Sequence, residues 1–467
     1  MIPWNPAGLA TAIGAYLSPG VDRNAELTDV VIDSRLARPG SVFVALPGTQ
    51  ANGLDFVADA VANGSPLAIV GEPVPGPTAL VNDPVAALGH LAEVALRRAR
   101  VASANMKVIG VTGSVGKTTT KDLLARITAA TGPTVAAEGS FNNHLGVPLT
   151  VIKAGRDTAF VIVEMGANHE GEIASLVRIA PPDVGVVLGV GKAHVGEFGS
   201  REAIARAKAE IVAGLMPDGT AVLNMDDQLV RAMAFGAPEG LITFGFDGMA
   251  QIHGSRRTLG PAGQLHLTVC DQNSGETARV ETALVGRHLA INVVAAIAAA
   301  VAAGIPLPRA ANALSGATAS SPHRMAIQDL PGGATLVDDS YNANPESMAA
   351  AVDAVAKLGK RAGRGVIAVL GEMRELGKES SVEHLRAGRI VARHEIDRLI
   401  VVGEGADGIH LGAAAHGMPS QAIEFWPDTE GLVGHLKSIA DQEFILIKGS
   451  HGTGLWKVAD ALVGEDS

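Results

Sequence analysis

The segment Thr112-Gly113-Ser114-Val115-Gly116-Lys117-Thr118-Thr119-Thr120 follows the apolar run Lys107-Val108-Ile109-Gly110-Val111 and constrains the fold more than any other stretch. A buried strand that runs into a glycine loop and then opens a helix is the setting a phosphate-binding loop requires. Gly113 and Gly116 let backbone N–H groups face an anion, and the helix N-terminus adds partial positive charge. The Lys117 side chain is placed to reach terminal phosphates, and the Thr118 hydroxyl to hold Mg²⁺. The full pattern would put glycine at position 111, where this chain has Val111, so the loop is a shorter variant. Ser114 and Thr119 complete the predicted nucleotide contacts.

A buried strand of this kind needs crossover helices on both faces of its sheet. Further apolar runs alternate with helical patterns: Phe160-Val161-Ile162-Val163, Val184-Gly185-Val186-Val187-Leu188, a helix over 200–215, and Thr220-Ala221-Val222-Leu223. The alternation predicts a parallel sheet. An Ala-rich helix after His288 is expected to pack on it. Hydrophobic residues make up 47% and aromatic ones 3%, so the cores must be built from Ala, Val, Leu and Ile.

The 467 residues suggest about three domains. The first holds short strands such as Val42–Leu46 and Leu67–Val70 between Pro/Gly turns, and the helix from Pro84 opens the second. The loop Ala319-Ser320-Ser321-Pro322 marks a boundary, after which runs at 334–337, 366–370, 398–402 and 444–447 read as an open doubly wound sheet. The expected boundaries are 1–83, 84–318 and 319–467.

With 37 Lys+Arg against 48 Asp+Glu, the formal net charge is −11, and no basic run is present. This argues against binding nucleic acid, which needs a basic surface. The apolar stretch from Leu289 to Ile305 is interrupted by Asn292 and falls short of the roughly 20 residues a membrane span needs. The lone Cys270 fits a reducing compartment, and no leader pattern is read at Met1-Ile2-Pro3-Trp4-Asn5. A cytoplasmic protein without membrane insertion is expected.

Glu164 and His194 end strand regions beside the phosphate loop, where ligands bind in open α/β sheets. Both types ligate metals. Mg²⁺ prefers oxygen, so His194 also reads as a histidine hydrogen-bonded at a sheet edge. Lys208, by its local sequence, is a solvated helix charge beside an ordinary i,i+4 pair of Glu202 and Arg206. Asp338 and Asp339 end a strand ahead of a turn rich in Asn and Pro, suiting ribose hydroxyls or metal, or else an Asx-type turn with a helix cap.

The phosphate loop through Lys121, FNNHLGVPLT at 141–150, EMGAN at 164–168, GRHLAIN ending at Asn292, HR at 323–324, DDSYNANP at 338–345 and LGEMRELG at 370–377 occur in this order. Together they resemble the Mur ligase family, whose likeness spans nearly the whole chain. The resemblance implies an α/β protein of three domains: a small mixed α/β N-terminal domain that binds the UDP substrate, a central parallel-sheet, P-loop ATPase-like domain that binds ATP, and a C-terminal doubly wound, Rossmann-like domain that binds a dipeptide.

The implied activity is ATP-dependent ligation of D-alanyl-D-alanine to UDP-N-acetylmuramoyl-tripeptide in peptidoglycan synthesis, with Mg²⁺, by a monomer. By motif match, Glu164 and His194 correspond to metal ligands and Asn292 to an adenine contact. Arg324 and Asp339 correspond to phosphate and ribose contacts, Ser34 and Arg35 to uridine contacts, and Asn142 and Asn143 to a substrate-facing loop. Lys208 corresponds to a lysine carried as a carbamate, which reverses its local reading and turns a cation into a possible metal ligand.

Two departures from the family pattern stand out: Asn52-Gly53-Leu54-Asp55-Phe56 where Asp-Gly-His often precedes the Phe, and His451 where Arg often follows Ser450. Alternatives are a sibling that adds a single amino acid, a folylpolyglutamate-type ligase, and a phosphate-loop nucleotide switch that makes no bond. The single-amino-acid sibling usually carries an Asp-Asn-Pro-Arg block, absent here. A switch would hydrolyse ATP without an acceptor.

Overall fold

The structure is a computed structural model and describes residues 1–48, 51–191, 195–237 and 240–464. Among these residues the strands form three sheets of five, nine and six strands. The nine-stranded sheet runs, edge to edge, Thr277–Val285, Gln264–Asp271, Ile252–Leu259, Gly240–Gly245, Thr220–Asn224, Val184–Val187, Lys107–Thr112, Phe160–Glu164, Thr134–Ala136. Neighbours from Gly240–Gly245 to Thr134–Ala136 are parallel, and the four inner strands among them, Thr220–Asn224 to Phe160–Glu164, are buried on both faces.

The expectation of a parallel sheet needs correction at one edge. Pairing becomes antiparallel beyond Ile252–Leu259. Gln264–Asp271 alternates half-buried and buried residues, as a strand covered on one face does, and so shows no continuous apolar run.

The third sheet is ordered Ala326–Asp329, Thr335–Asp338, Phe444–Lys448, Val366–Gly371, Arg398–Val402, Ile423–Trp426, parallel except for its first pair. Ala326–Asp329 is an edge strand with mostly exposed side chains, so the sheet begins earlier than the apolar pattern indicates. The first sheet is mixed, with Tyr16–Leu17 antiparallel to Thr78–Leu80 and the others parallel.

One helix joins the first and central layers, and a second is enclosed within the central one. Pro84–Ala102, capped by Asp83, buries Leu88, Leu91, Ala92, Ala95, Leu96 and Ala99, one stripe at helical spacing. That stripe shares a core with Leu67 and Ile69 of the first sheet and Val161 and Val163 of the central one, so the helix serves both layers. Ala290–Ala302 is buried on nearly every side, which explains its apolar composition without a membrane. No helix among the described residues is long and apolar enough to cross a bilayer.

Candidate active site

Lys107–Thr112 lies between Phe160–Glu164 and Val184–Val187. The chain leaves its end to build one flank of the sheet and then crosses to the other, which opens a crevice at the strand's C-terminal end. Into that crevice the loop 113–116 leads to the helix Lys117–Ala129. Gly113 and Gly116 have φ of +154° and +82°, and a Cβ at Gly116 would collide with the Asn292 side chain. Asn292 Nδ2 donates to the Gly116 carbonyl at 3.1 Å and to Thr120 Oγ1 at 3.0 Å, pinning the loop to the Ala-rich helix.

Lys117 Nζ donates to the Gly113 carbonyl at 2.9 Å. Desolvation lowers its pKa; Glu164 opposes the shift and Arg324 adds to it. Thr118 Oγ1 donates to Glu164 Oε2 at 2.9 Å, and Asn142 Nδ2 donates to Oε1 at 2.8 Å. Ser140 Oγ is 3.1 Å from Thr118 Oγ1, and Arg324 Nη2 donates to both, at 3.1 and 3.3 Å. Among the described residues, buried Ser114 Oγ and Arg324 Nε make no hydrogen bond. Unsatisfied donors beside a glycine loop suit an anion such as a phosphate chain. The oxygens of Thr118 and Glu164 form a hard donor set suited to Mg²⁺. His194 lies outside the described residues.

Lys208 corrects its local reading outright. It is only 3% exposed, on the apolar stripe of Arg201–Ala213 with Ile204, Ala207 and Ile211. Desolvation, reinforced by nearby Lys117, brings its pKa down to about 7. The supposed Glu202–Arg206 pair is also replaced: Arg206 Nη2 pairs with Glu170 at 2.6 Å. Sequence spacing shows which residues share a helix face, but the packing of 201–213 beside the phosphate loop decides which face is buried.

The third sheet supplies the opposite wall. The Asx-turn reading of the pair Asp338-Asp339 holds at Asp338. Asp338 Oδ1 accepts from Ser340 N as in an Asx-type turn, and Asn344 caps the helix Pro345–Ala362. Asp339 instead faces the cleft, with Oδ2 2.5 Å from Nζ of Lys448, whose side chain is 2% exposed. Arg324 stacks 4.3 Å over the Tyr341 ring. These groups border one cavity of about 610 Å³, lined by Ser114, Gly116, Lys117, Thr118, Thr119, Asn142, Asn143, Glu164, Lys208, Asn292, Arg324 and Asp339 among others.

Ser140, His288, Tyr341, Arg374 and Lys448 also line this cavity and were not assigned roles from the sequence. His288, Tyr341 and Arg374 stand inside the family motifs, whereas Ser140 carries no local signal. His451, the departure from the family pattern, stacks on Trp456 with ring centres 5.3 Å apart.

Ser34 and Arg35 do not join the cavity lining. They lie in the first layer, where Arg35 is paired with Asp33 at 2.7 Å and the Ser34 carbonyl accepts from Asn63. Asn52 caps the short helix Gly53–Phe56.

Models of the Mur ligase middle domain and of the Mur ligase glutamate ligase domain match residues 111–300 and 323–451. The chain is 38% identical, across 100% of its length and 99% of the relative's, to the UDP-N-acetylmuramoyl-tripeptide--D-alanyl-D-alanine ligase of Mycobacterium tuberculosis. It is 33% identical to the Escherichia coli protein of that name, over 93% of this chain and 94% of the other. Among solved structures, MurF from Acinetobacter baumannii superposes with a TM-score of 0.85 at 31% identity, covering 99% of both chains. MurF from Thermotoga maritima in complex with ADP gives 0.78 at 27% identity, over 94% of this chain and 97% of that one.

Proposed function

The chain belongs to the Mur ligase family, and from that premise we propose that it joins D-alanyl-D-alanine to UDP-N-acetylmuramoyl-tripeptide at the expense of ATP, a step of peptidoglycan synthesis. The observation that carries this reading is the single cavity in which Lys117, Thr118 and Glu164 of the central layer face Arg324 and Asp339 of the third. A hydrolytic switch has no need of a second domain's cation and carboxylate over its phosphate loop.

A carboxylate resists attack by an amine because its oxygen is a poor leaving group. Transfer of the ATP γ-phosphoryl group to the peptide carboxylate gives an acyl phosphate and ADP. The dipeptide amine then attacks the acyl carbon, and the tetrahedral intermediate expels inorganic phosphate as the amine loses its proton. Lys117 and Arg324 offset the negative charge spread over the transferring group. Thr118 and Glu164 would hold Mg²⁺, which when bound neutralises phosphate charge. Approach of the third layer over the loop keeps water from the acyl phosphate.

The residues 1–83, 84–318 and 319–467 are assigned to the uridine nucleotide, ATP and the dipeptide respectively, in a monomeric, cytoplasmic enzyme. Lys208 is assigned as a carbamate. Its burial and a pKa of about 7 favour the neutral amine that CO₂ requires. Bond formation consumes the amine lone pair and releases one proton.

The test is phosphate release from ATP with UDP-N-acetylmuramoyl-tripeptide present, with and without D-alanyl-D-alanine. Release that depends on the dipeptide is expected. Release from ATP alone at the same rate supports the switch, and preference for a single amino acid supports the sibling ligase; either overturns the assignment.

A further inference from the structure

Next to the catalytic loop, Lys121 and Asp122 stand side by side on the helix Lys117–Ala129, and neither lines the cavity. Lys121 is 2% exposed. A buried ammonium is strongly unfavourable unless paired and hydrogen-bonded. Its Nζ donates to the carbonyls of Ala137 at 2.7 Å and Gly139 at 3.0 Å, and lies 2.6 Å from Asp122 Oδ1. These two carbonyls belong to the turn that presents Ser140 and Asn142 to Thr118 and Glu164.

The other oxygen of Asp122 reaches the linker into the third layer, accepting from the Ser321 backbone N–H at 3.1 Å. Beyond Ser321 the backbone is contorted: His323 and Met325, on either side of Arg324, have φ of +57° and +54°. Non-glycine residues stay in that region only where their surroundings hold them. Each alternate residue of this segment is tied to a different aspartate. Ser321 is held by Asp122, His323 Nδ1 lies 2.7 Å from Asp338 Oδ2, and Met325 N donates to Asp339 Oδ1 at 3.2 Å. Arg324 is thereby turned onto Thr118 and Ser140.

We propose that Lys121 and Asp122 are positioning residues that set two approaches to the phosphate site from one helix. Lys121 holds the turn bearing Ser140 and Asn142, and Asp122 ties the Arg324 segment to the central layer, while Asp338 and Asp339 tie it to the third. This assignment rests on the ligase reading for its kinetic consequence and on geometry alone for its structural one.

The test compares Asp122→Ala with Asp122→Asn, whose side-chain carbonyl still accepts from Ser321. Hydrogen exchange over 319–325, measured without nucleotide, should rise about tenfold or more in Asp122→Ala and stay near wild type in Asp122→Asn. In ligation, Asp122→Ala should lose about tenfold in kcat with KM for ATP changed less than about threefold, and Asp122→Asn should recover most of the loss. Lys121→Met should raise exchange over 137–142; if it fails to fold, the Asp122 pair still decides. Native exchange over 319–325 in Asp122→Ala, or kcat within about twofold of wild type, overturns the proposal. If the wild type shows no dipeptide-dependent phosphate release, the ligase reading fails separately, and the exchange experiment still judges the anchoring.

Discussion

In the cleft between the central and third layers, Glu164 and Lys208 are 1% and 3% exposed, and their surroundings are hydroxyls, amides and cations drawn from distant parts of the chain. In the first layer, Arg35 has 87% of its side chain exposed and is already paired with Asp33. The cleft groups hold one another in place, and burial strengthens their mutual electrostatics. An exposed pair such as Arg35 and Asp33 contributes little net interaction energy. On the proposed ligase reading, phosphoryl transfer is assigned to the cleft and nucleotide binding to the first layer.

The sharpest way to break this contrast is Lys117→Ala. It should lower dipeptide-dependent phosphate release by on the order of a thousandfold, roughly 4 kcal/mol of barrier, with an unchanged melting temperature. Retention of a tenth of wild-type turnover would remove Lys117 from the transfer step.

Lys208→Ala should lose about a hundredfold, with partial rescue by formate or acetate filling the vacated anionic position. A variant of normal activity would return Lys208 to a structural role. Its burial also predicts a pH signature in CO₂-free buffer. The folded pKa is about 7 against an ordinary value of 10.5, so the unfolded state binds more protons between those limits. Stability should rise with pH across that window. Lys208→Met should lack this rise, so its advantage over wild type in denaturant titrations is greatest below about pH 7 and fades toward about pH 10. Parallel stability curves would show that Lys208 is solvated.

Glu164→Gln keeps the hydrogen bonds to Thr118 and Asn142 within reach but removes the charge, and should raise the Mg²⁺ concentration for half activity about tenfold. An unchanged Mg²⁺ titration would make the carboxylate structural. Arg35→Ala is the mildest change: KM for the uridine nucleotide should rise a few-fold, with kcat and stability within experimental error. A fall in kcat as large as that of Glu164→Gln would erase the distinction between the two regions.

The strand–loop–helix around Gly113 and Lys117 was legible because every element of it is local: an apolar run, two glycines, and a helix start within a dozen residues. The doubly wound third sheet was legible for the same reason, since its strands are buried on both faces and show as continuous apolar runs. The antiparallel edge over 252–285 was not, because a strand with one solvated face mixes polar residues into the pattern.

The sequence by itself determined the phosphate loop, the alternation of strands and helices, and the order of the motifs that place the chain in its family. Tertiary structure alone decided that Lys208 is buried, that Arg206 turns to Glu170, and that Arg324 meets Thr118 across 206 positions of chain. Turn chemistry and side-chain periodicity act over a few residues, so they can be read in order along the chain. Whether a charge is solvated depends on which layer closes over it, and that is settled only when distant segments pack together.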